Sequence, residues 1–222
     1  MLVRNWMTPE VLTVTPDTSL LKIGKLMNDH KIRRIPVVDK SGLLVGIVSD
    51  RDVRDASPSK ATTLDMYEMH YLLAEIRAKD IMTARPLTVK PTDTVEKAAM
   101  LMLDNKIGGL PVVDNGKLEG IISEQDVFKA LVNITGVREG GFQLGFSIAN
   151  RPGAMKPIFD LVRRRNARIL SVLSSNNDEG ERHIFLRLRD MESREAENAL
   201  VEEMKEHCNL LYWARNEVHL AQ

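Results

Sequence analysis

The sequence predicts an α+β protein in three parts: two copies of a β-α-β-β-α unit, then one β-α-β-β-α-β unit. Three observations carry this. First, Ile32-Arg33-Arg34-Ile35-Pro36-Val37-Val38-Asp39, followed by Gly46-Ile47-Val48-Ser49-Asp50-Arg51-Asp52-Val53, occurs twice. It returns as Ile107-Gly108-Gly109-Leu110-Pro111-Val112-Val113-Asp114, followed by Gly120-Ile121-Ile122-Ser123-Glu124-Gln125-Asp126-Val127. Internal repetition is a stronger guide to architecture than any single motif. Second, the interval is 75 residues from Pro36 to Pro111 but 74 from Ser49 to Ser123, so the second hairpin loop is one residue shorter. Third, a non-repeated pattern of strands and helices begins after Gly136-Val137-Arg138-Glu139-Gly140-Gly141.

In the first repeat, residues 1–56, Val11 to Val14 reads as a short strand stopped by Pro16. Thr18 or Ser19 can cap a helix whose apolar positions Leu20, Ile23, Leu26 and Met27 have helical spacing. Ile35 to Val38 is an apolar strand, and Pro36 places it at a strand start or sheet edge because proline has no N–H for a ladder. Asp39-Lys40-Ser41-Gly42 has turn chemistry, Leu43 to Val48 is the return strand, and Ser49 opens a second helix. Residues 57–79 form a linker. Its polar loop, Ser57 to Thr63, leads to a helix capped by Thr63 or Asp65 that carries Leu64, Tyr67, Tyr71, Leu72, Glu75 and Ile76 and ends near Lys79.

The second repeat, residues 80–135, runs in the same order. Leu87-Thr88-Val89 stops before Pro91, and Asp93 or Thr94 caps a helix with Val95, Ala98, Ala99, Leu101 and Met102. Leu110 to Val113 and Leu118 to Ile122 flank Asn115-Gly116, a strong signal for a two-residue hairpin turn. Each repeat leaves its sheet incompletely covered, so the two are expected to pack as a pseudo-twofold pair.

Residues 136–140 read as a glycine-rich hinge and residues 141–222 as a separate domain. Phe142 to Ile148 alternates as a strand, and Asn150-Arg151-Pro152-Gly153 turns into a helix carrying Met155, Ile158, Phe159, Leu161 and Val162. Strands follow at Ala167 to Ser174 and Arg182 to Leu188. Ser193 caps a helix through Ala196, Leu200, Val201 and Met204, and Leu210 to Trp213 closes the domain. That order is the ferredoxin-like split unit.

Composition narrows the function. Lys and Arg total 31 and Asp and Glu total 31, so no net field attracts nucleic acid or anionic lipid. Cys208 is the only cysteine, which rules out an internal disulfide or multi-cysteine metal site and fits a reducing compartment. Met1-Leu2-Val3-Arg4-Asn5-Trp6-Met7 lacks the apolar core of a signal peptide, and no apolar run approaches the roughly 20 residues that span a bilayer. A soluble, cytoplasmic protein is expected. The sequence has no P-loop, no Gly-x-Gly-x-x-Gly after a strand, no His-Glu-x-x-His and no Gly-x-Ser-x-Gly. The five histidines fall at no metal-ligand spacing. No catalytic residues and no metal site are therefore expected.

What recurs instead is Ser-x-x-Asp at a strand-to-helix junction: Ser49 with Asp52, and Ser123 with Asp126. This pattern caps a helix, with the serine and the acid bonding each other's backbone N–H. It also suits a cleft, where a carboxylate can accept both hydroxyls of a ribose and exposed N–H groups favour phosphate. Both readings can hold together. Arg33-Arg34 supplies charged planar forks suited to phosphate. The second repeat has Gly108-Gly109 there, where a ligand could approach the backbone closely. The two repeats are therefore expected to offer unequal clefts.

The doubled Ile/Leu-Pro-Val-Val-Asp and Gly-Ile-Val/Ile-Ser-x-x-Asp-Val pattern, with Met7-Thr8 and Met82-Thr83 ahead of it, resembles a tandem of CBS domains over about residues 5–134. Phe146-Ser147-Ile148-Ala149-Asn150-Arg151-Pro152-Gly153-Ala154-Met155 resembles the first loop of an ACT domain, over about residues 141–220; Asn150 stands where such domains usually carry Asp. The CBS–CBS–ACT order is similar to that of acetoin-utilisation proteins, which implies a place in acetoin or carbon metabolism. The resemblance implies a non-catalytic regulatory protein with no required cofactor. Its ligand would be AMP, ADP, ATP, NAD or S-adenosylmethionine, and its assembly a homodimer or larger homo-oligomer acting on an unidentified protein partner, not on nucleic acid or membrane. Asp52 and Asp126 would hold ribose, Ser49 and Ser123 would lie near ribose and phosphate, and Arg33 and Arg34 would meet phosphate. The chain around Leu12, Ile32 and Ile35, and around Leu87, Ile107, Gly109 and Leu110, would flank adenine. Asn150, Gly153, Ala154 and Met155 would form an amino-acid pocket, or the domain would serve as a dimer contact. A structural adaptor with degenerate clefts is the alternative. An enzyme of acetoin or acyl-CoA chemistry has no sequence feature in its favour.

Overall fold

Serine and threonine caps begin the equivalent helices of the two repeats. In the computed structural model, which describes residues 1–57, 65–177, 180–215 and 218–220, Ser19 Oγ accepts the Lys22 N–H at 3.4 Å and opens α1 (Leu20–His30). Thr94 Oγ1 accepts the Lys97 N–H at 3.1 Å and opens α5 (Val95–Asn105). Both helices end on a left-handed lysine, Lys31 and Lys106, each at φ 54°. Their buried stripes, Leu20, Ile23 and Met27 in one and Val95, Ala98 and Met102 in the other, follow the spacing read from the sequence.

The chain divides into two units, Met1–Lys129 and Ala130–Gln222. The first holds the repeats as far as Lys129, within the last helix of the second. β2 (Arg34–Val38) pairs antiparallel with β3 (Leu44–Ser49), which leads into α2 (Asp50–Asp55). β5 (Gly109–Asp114) pairs with β6 (Lys117–Ser123), which leads into α6 (Glu124–Ile134). Asn115 and Gly116, at φ 47° and 82°, make the two-residue hairpin turn. Pro36 and Pro111 both lie on edge strands, as a missing N–H requires.

Two expectations fail, both for backbone reasons. Val11 to Val14 and Leu87 to Val89 are not strands; only Val14 and Val89 pair, as single parallel bridges to Val37 and Val112. Val14 N–H donates to the Pro36 carbonyl at 3.1 Å and its carbonyl accepts from Val38 at 2.9 Å. The next donor in one direction would be Pro16 and in the other Pro36, and neither has an N–H. Pro91 and Pro111 stop the second copy in the same way. The linker helix α3 (Met66–Glu75) also ends earlier than Lys79. Asp65 caps it in a capping box with Glu68, while the alternative cap Thr63, together with Leu64, lies outside the described residues. It stops because Ile76 and Arg77 run extended along the start of α1: Leu20 N–H donates to the Ile76 carbonyl, and Ala78 N–H to the Thr18 carbonyl, both at 2.8 Å. A new turn, α4 (Ala78–Ile81), follows.

Sequence reading missed two very short strands, β1 (Thr8–Pro9) and β4 (Thr83–Ala84), which exchange between the repeats. β1 pairs with β6 of the second repeat, Thr8 opposite Ile121, and β4 pairs with β3 of the first, Thr83 opposite Ile47. The preceding residues cross over as well. Val3 N–H donates to the Asp93 carbonyl at 2.9 Å, mirroring Ala78 on Thr18, and Arg4 donates to Pro91 as Lys79 does to Pro16, each at 3.0 Å. Ala78 is fully buried with Val14, Ile23, Ile35, Val37 and Val48, so the first repeat's core includes a residue from the second repeat's lead-in. Gly120 is required by this exchange, because a Cβ there would run into the Thr8 carbonyl. The bonds repeat pairwise, giving the pseudo-twofold relation.

In the second unit, β7 (Phe142–Ile148), α7 (Lys156–Arg164), β8 (Ile169–Asn176), β9 (Arg182–Leu188), α8 (Arg194–Lys205) and β10 (Asn209–Ala214) follow the expected order, and β11 (Val218–Leu220) is added at the edge. The antiparallel sheet runs β11-β10-β7-β9-β8. Phe142, Leu144, Phe146, Leu186 and Leu188 from the sheet pack against Ile158, Leu161, Leu200 and Met204 from the helices. Glu197, buried on α8, is held by Arg194 and Arg215. No described helix is long and apolar enough to cross a membrane.

Candidate functional site

A cleft of about 400 Å³ opens in the first unit, and both repeats line it. The first contributes Thr8, Glu10, Val11 and Leu12 from its lead-in, then His30, Lys31, Ile32, Arg33 and Arg34. The left-handed turn at Lys31 carries the chain off α1 and along this wall into β2. The second repeat contributes Gly108, Ile121 and the start of α6, with Ser123, Glu124, Gln125, Asp126 and Lys129. Helix N-termini present unpaired N–H groups and favour negative charge.

Asp126 is only 4% exposed. Its Oδ2 accepts from the Ser123 N–H at 3.0 Å and from the Ser123 hydroxyl at 2.7 Å, while its Oδ1 accepts from Lys129 Nζ at 3.0 Å. At the other motif, Asp52 Oδ2 accepts from the Ser49 N–H and hydroxyl, both at 2.7 Å, completing a capping box. Capping therefore occupies one oxygen of each carboxylate and leaves the other for a further partner.

Arg34 lies half-buried across the Gly108–Gly109 backbone. Burial lowers its guanidinium pKa, and the Glu124 and Asp50 carboxylates oppose that shift. The glycine pair does not mark a second, separate cleft: Gly108 lines the same cleft as Arg33 and Arg34, and the space a Cβ would take at position 108 holds the Arg34 guanidinium and the Glu124 carboxylate. Glycine here admits an arginine. Gly108→Ala is thus expected to displace the Arg34 guanidinium, which is the flexible end of a side chain, at little cost in stability. A ligand whose phosphate meets Arg34, as the sequence resemblance implies, should weaken by about tenfold to a hundredfold, the scale of one charge-assisted hydrogen bond. Paired thermal melts and titrations check it; a large drop in melting temperature with unchanged binding would contradict the assignment.

Of the residues singled out in sequence, Leu12, Ile32, Arg33, Arg34, Ser123 and Asp126 come together here. Ile35 and Leu110 do not reach the cleft; both are fully buried and their side chains fill the cores, so only their backbone could face a ligand. Gly109 is buried beneath Arg34. Ser49, Asp52, Leu87 and Ile107 lie outside this lining, at the positions related to it by the pseudo-twofold. Sequence reasoning missed Thr8, Glu10, His30, Lys31, Glu124, Gln125 and Lys129. Helical spacing could have found Lys129, one turn beyond Asp126, and the repeat could have found Thr8 through Thr83. His30 and Lys31 carried no signal. Lys31, Arg33, Arg34 and Lys129 outnumber Glu10, Glu124 and Asp126, so the cleft is net positive.

In the second unit, Asn150, Gly153, Ala154 and Met155 line a hollow of about 390 Å³ with Arg151 and Arg182. Among the described residues, no group of three or more His, Cys, Asp or Glu side chains could hold a metal. The Cys208 thiol donates to the Met204 carbonyl at 3.2 Å, and burial pushes its pKa up to about 12, far from a nucleophile's.

Residues 3–59 and 78–133 match the CBS domain family. The chain belongs to it. Its tandem pair is similar to CBSX2 of Arabidopsis thaliana solved in complex with AMP, at 34% identity and a TM-score of 0.50 over 60% of this chain and 97% of that one. It is similar to an AcuB protein of Vibrio cholerae, named for acetoin utilization, at 30% identity and a TM-score of 0.52 over 63% of this chain and 96% of that one. It is also similar to the CBS domain pair of protein MJ0100, solved with 5-methylthioadenosine and S-adenosyl-L-methionine, at 25% identity and a TM-score of 0.50 over 59% and 95% of the two chains.

Proposed function

We propose that this protein is a non-catalytic sensor whose cleft binds a phosphorylated adenosine ligand. One observation carries the reading: a buried Asp126 at the start of α6, whose Oδ1 lies outside the cap and is held by the exposed Lys129, stands in the same cleft as Arg33 and Arg34. CBS pairs similar to this one hold AMP, or methylthioadenosine and S-adenosylmethionine. In this reading Asp126 Oδ1 accepts the ribose diol, Ser123 and the α6 N-terminus face the phosphate end, Arg33 and Arg34 neutralise it, and Leu12 and Ile32 flank adenine. Ser49, Asp52, Leu87 and Ile107 form the related half-site. The net positive lining favours AMP, ADP, ATP or NAD over S-adenosylmethionine, whose sulfonium is cationic.

Both repeats line the cleft and each is completed by the other's lead-in, so a ligand shifts the population of repeat arrangements. Residues 1–56 and 80–135 then act as the paired repeats, 57–79 as their linker and 136–140 as a hinge. Residues 141–222 serve as an ACT domain, giving a homodimer contact and, at Asn150, Gly153, Ala154 and Met155, a hollow for an amino acid. A role in acetoin or carbon metabolism rests on the AcuB likeness. Calorimetric titration of the full chain with AMP, ADP, ATP, NAD and S-adenosylmethionine tests the central point. Saturable binding of at least one phosphorylated ligand, tighter than that of S-adenosylmethionine, is expected, and no saturable binding by any of them overturns it.

A further inference from the structure

We infer that Lys129 is a built-in competitor for the ribose-binding oxygen of Asp126, a specificity element of the cleft that must let go when a diol arrives. The inference rests on the nucleotide reading above and deepens it. Asp126 is 96% buried by its 4% exposure, and Ser123 saturates Oδ2 through its N–H and hydroxyl. Oδ1 is the oxygen left for the cleft, and Lys129 Nζ sits on it at 3.0 Å. Lys129 itself lines the cleft and its side chain is 65% exposed, so it can swing into solvent without unpacking anything.

Helix capping does not explain the lysine. The related cap at Ser49–Asp52 closes with the same two serine bonds, yet the position matching Lys129 holds Asp55, an acid. The cation therefore serves the cleft. It keeps the buried carboxylate neutralised while the cleft is empty, and it makes a ligand compete for Oδ1. A ligand offering two adjacent hydroxyls can replace the ammonium; a ligand offering one or none replaces it poorly. The motif thereby discriminates for an intact ribose diol in the cleft that contains Arg34.

Lys129→Gln frees Oδ1 and Lys129→Arg keeps the pair. Titrations of AMP, adenosine and 2′,3′-dideoxyadenosine into wild type, both variants and Asp126→Asn separate the outcomes. The expected result is that Lys129→Gln tightens adenosine by roughly two- to fivefold, the effect of removing an exposed ion pair. Lys129→Arg stays at wild-type affinity, and dideoxyadenosine gains nothing from either variant. If Asp126→Asn loses AMP but Lys129→Gln binds adenosine no tighter than wild type, or gains equally for dideoxyadenosine, the competitor role is overturned and the nucleotide reading survives. If neither wild type nor any variant binds AMP, the nucleotide reading fails and this inference fails with it.

Discussion

Asp126→Ala is expected to weaken AMP binding by about tenfold to a hundredfold, measured by calorimetry against wild type. Hydrogen bonds to a charged group contribute about 1.5–3 kcal/mol each, and each 1.4 kcal/mol is tenfold in affinity. The ribose diol in the proposed pose makes such bonds to Oδ1. The substitution also removes a helix cap, because Ser123 loses the carboxylate that accepts its N–H and hydroxyl. Losing a cap costs about 1 kcal/mol of stability and has no reason to follow ligand chemistry. Asp52→Ala isolates that component: it breaks the equivalent cap, with the same Ser49 bonds, on a residue outside the cleft that contains Arg34. A modest, similar fall in melting temperature for both variants is expected, with the large affinity loss confined to Asp126→Ala. Equal and small affinity losses in the two would mean that both motifs are caps and nothing more.

The parts of this protein legible in its sequence are those set by local chemistry. Ser19 and Thr94, each one of two adjacent candidates, and Ser193 cap their helices, and Asn115-Gly116 turns the hairpin it announces. What stayed hidden is set by partners far along the chain. Thr8-Pro9 and Thr83-Ala84 are too short to show a strand period, and their pairing partners lie on the other repeat. Pro16 and Pro91 look like stops within single segments, and Pro36 like a mark of a strand start or edge, but Pro16 with Pro36, and Pro91 with Pro111, act jointly to reduce a strand to one bridge. The site divides along the same line. The Ser-x-x-Asp repeat and the arginine pair could be found, whereas their meeting in one cleft with Gly108 beneath Arg34 required the fold. Lys129 was the exception that helical spacing alone could have reached.

Val3→Asp should destabilise the first unit by about 3–5 kcal/mol, the cost of leaving a buried charge without a partner. Near the start of a chain such a change is usually tolerated, since terminal residues pack loosely. Here Val3 is fully buried, and its N–H donates to the Asp93 carbonyl at 2.9 Å, just ahead of the helix opened by Thr94. Leu2 bridges Thr94 and the Met1 carbonyl accepts from Val95 at 2.8 Å, so the first residues of the chain seat the first helix of the second repeat. Damage at position 3 therefore falls on residues about ninety positions away. Urea unfolding followed by circular dichroism measures the total loss, and hydrogen exchange locates it, with early loss of protection expected in α5 and its neighbouring hairpin. Val3→Ala, which removes two methyl groups and keeps the backbone bonds, should cost much less. If Val3→Asp leaves α5 protected, the exchange of lead-in segments contributes little to holding the second repeat. The same change should also weaken AMP, because β1 follows directly and Thr8, Glu10 and Leu12 form one wall of the cleft. Loss of α5 protection together with loss of AMP affinity in Val3→Asp is the outcome expected if, as proposed, one short segment couples the second repeat to the cleft.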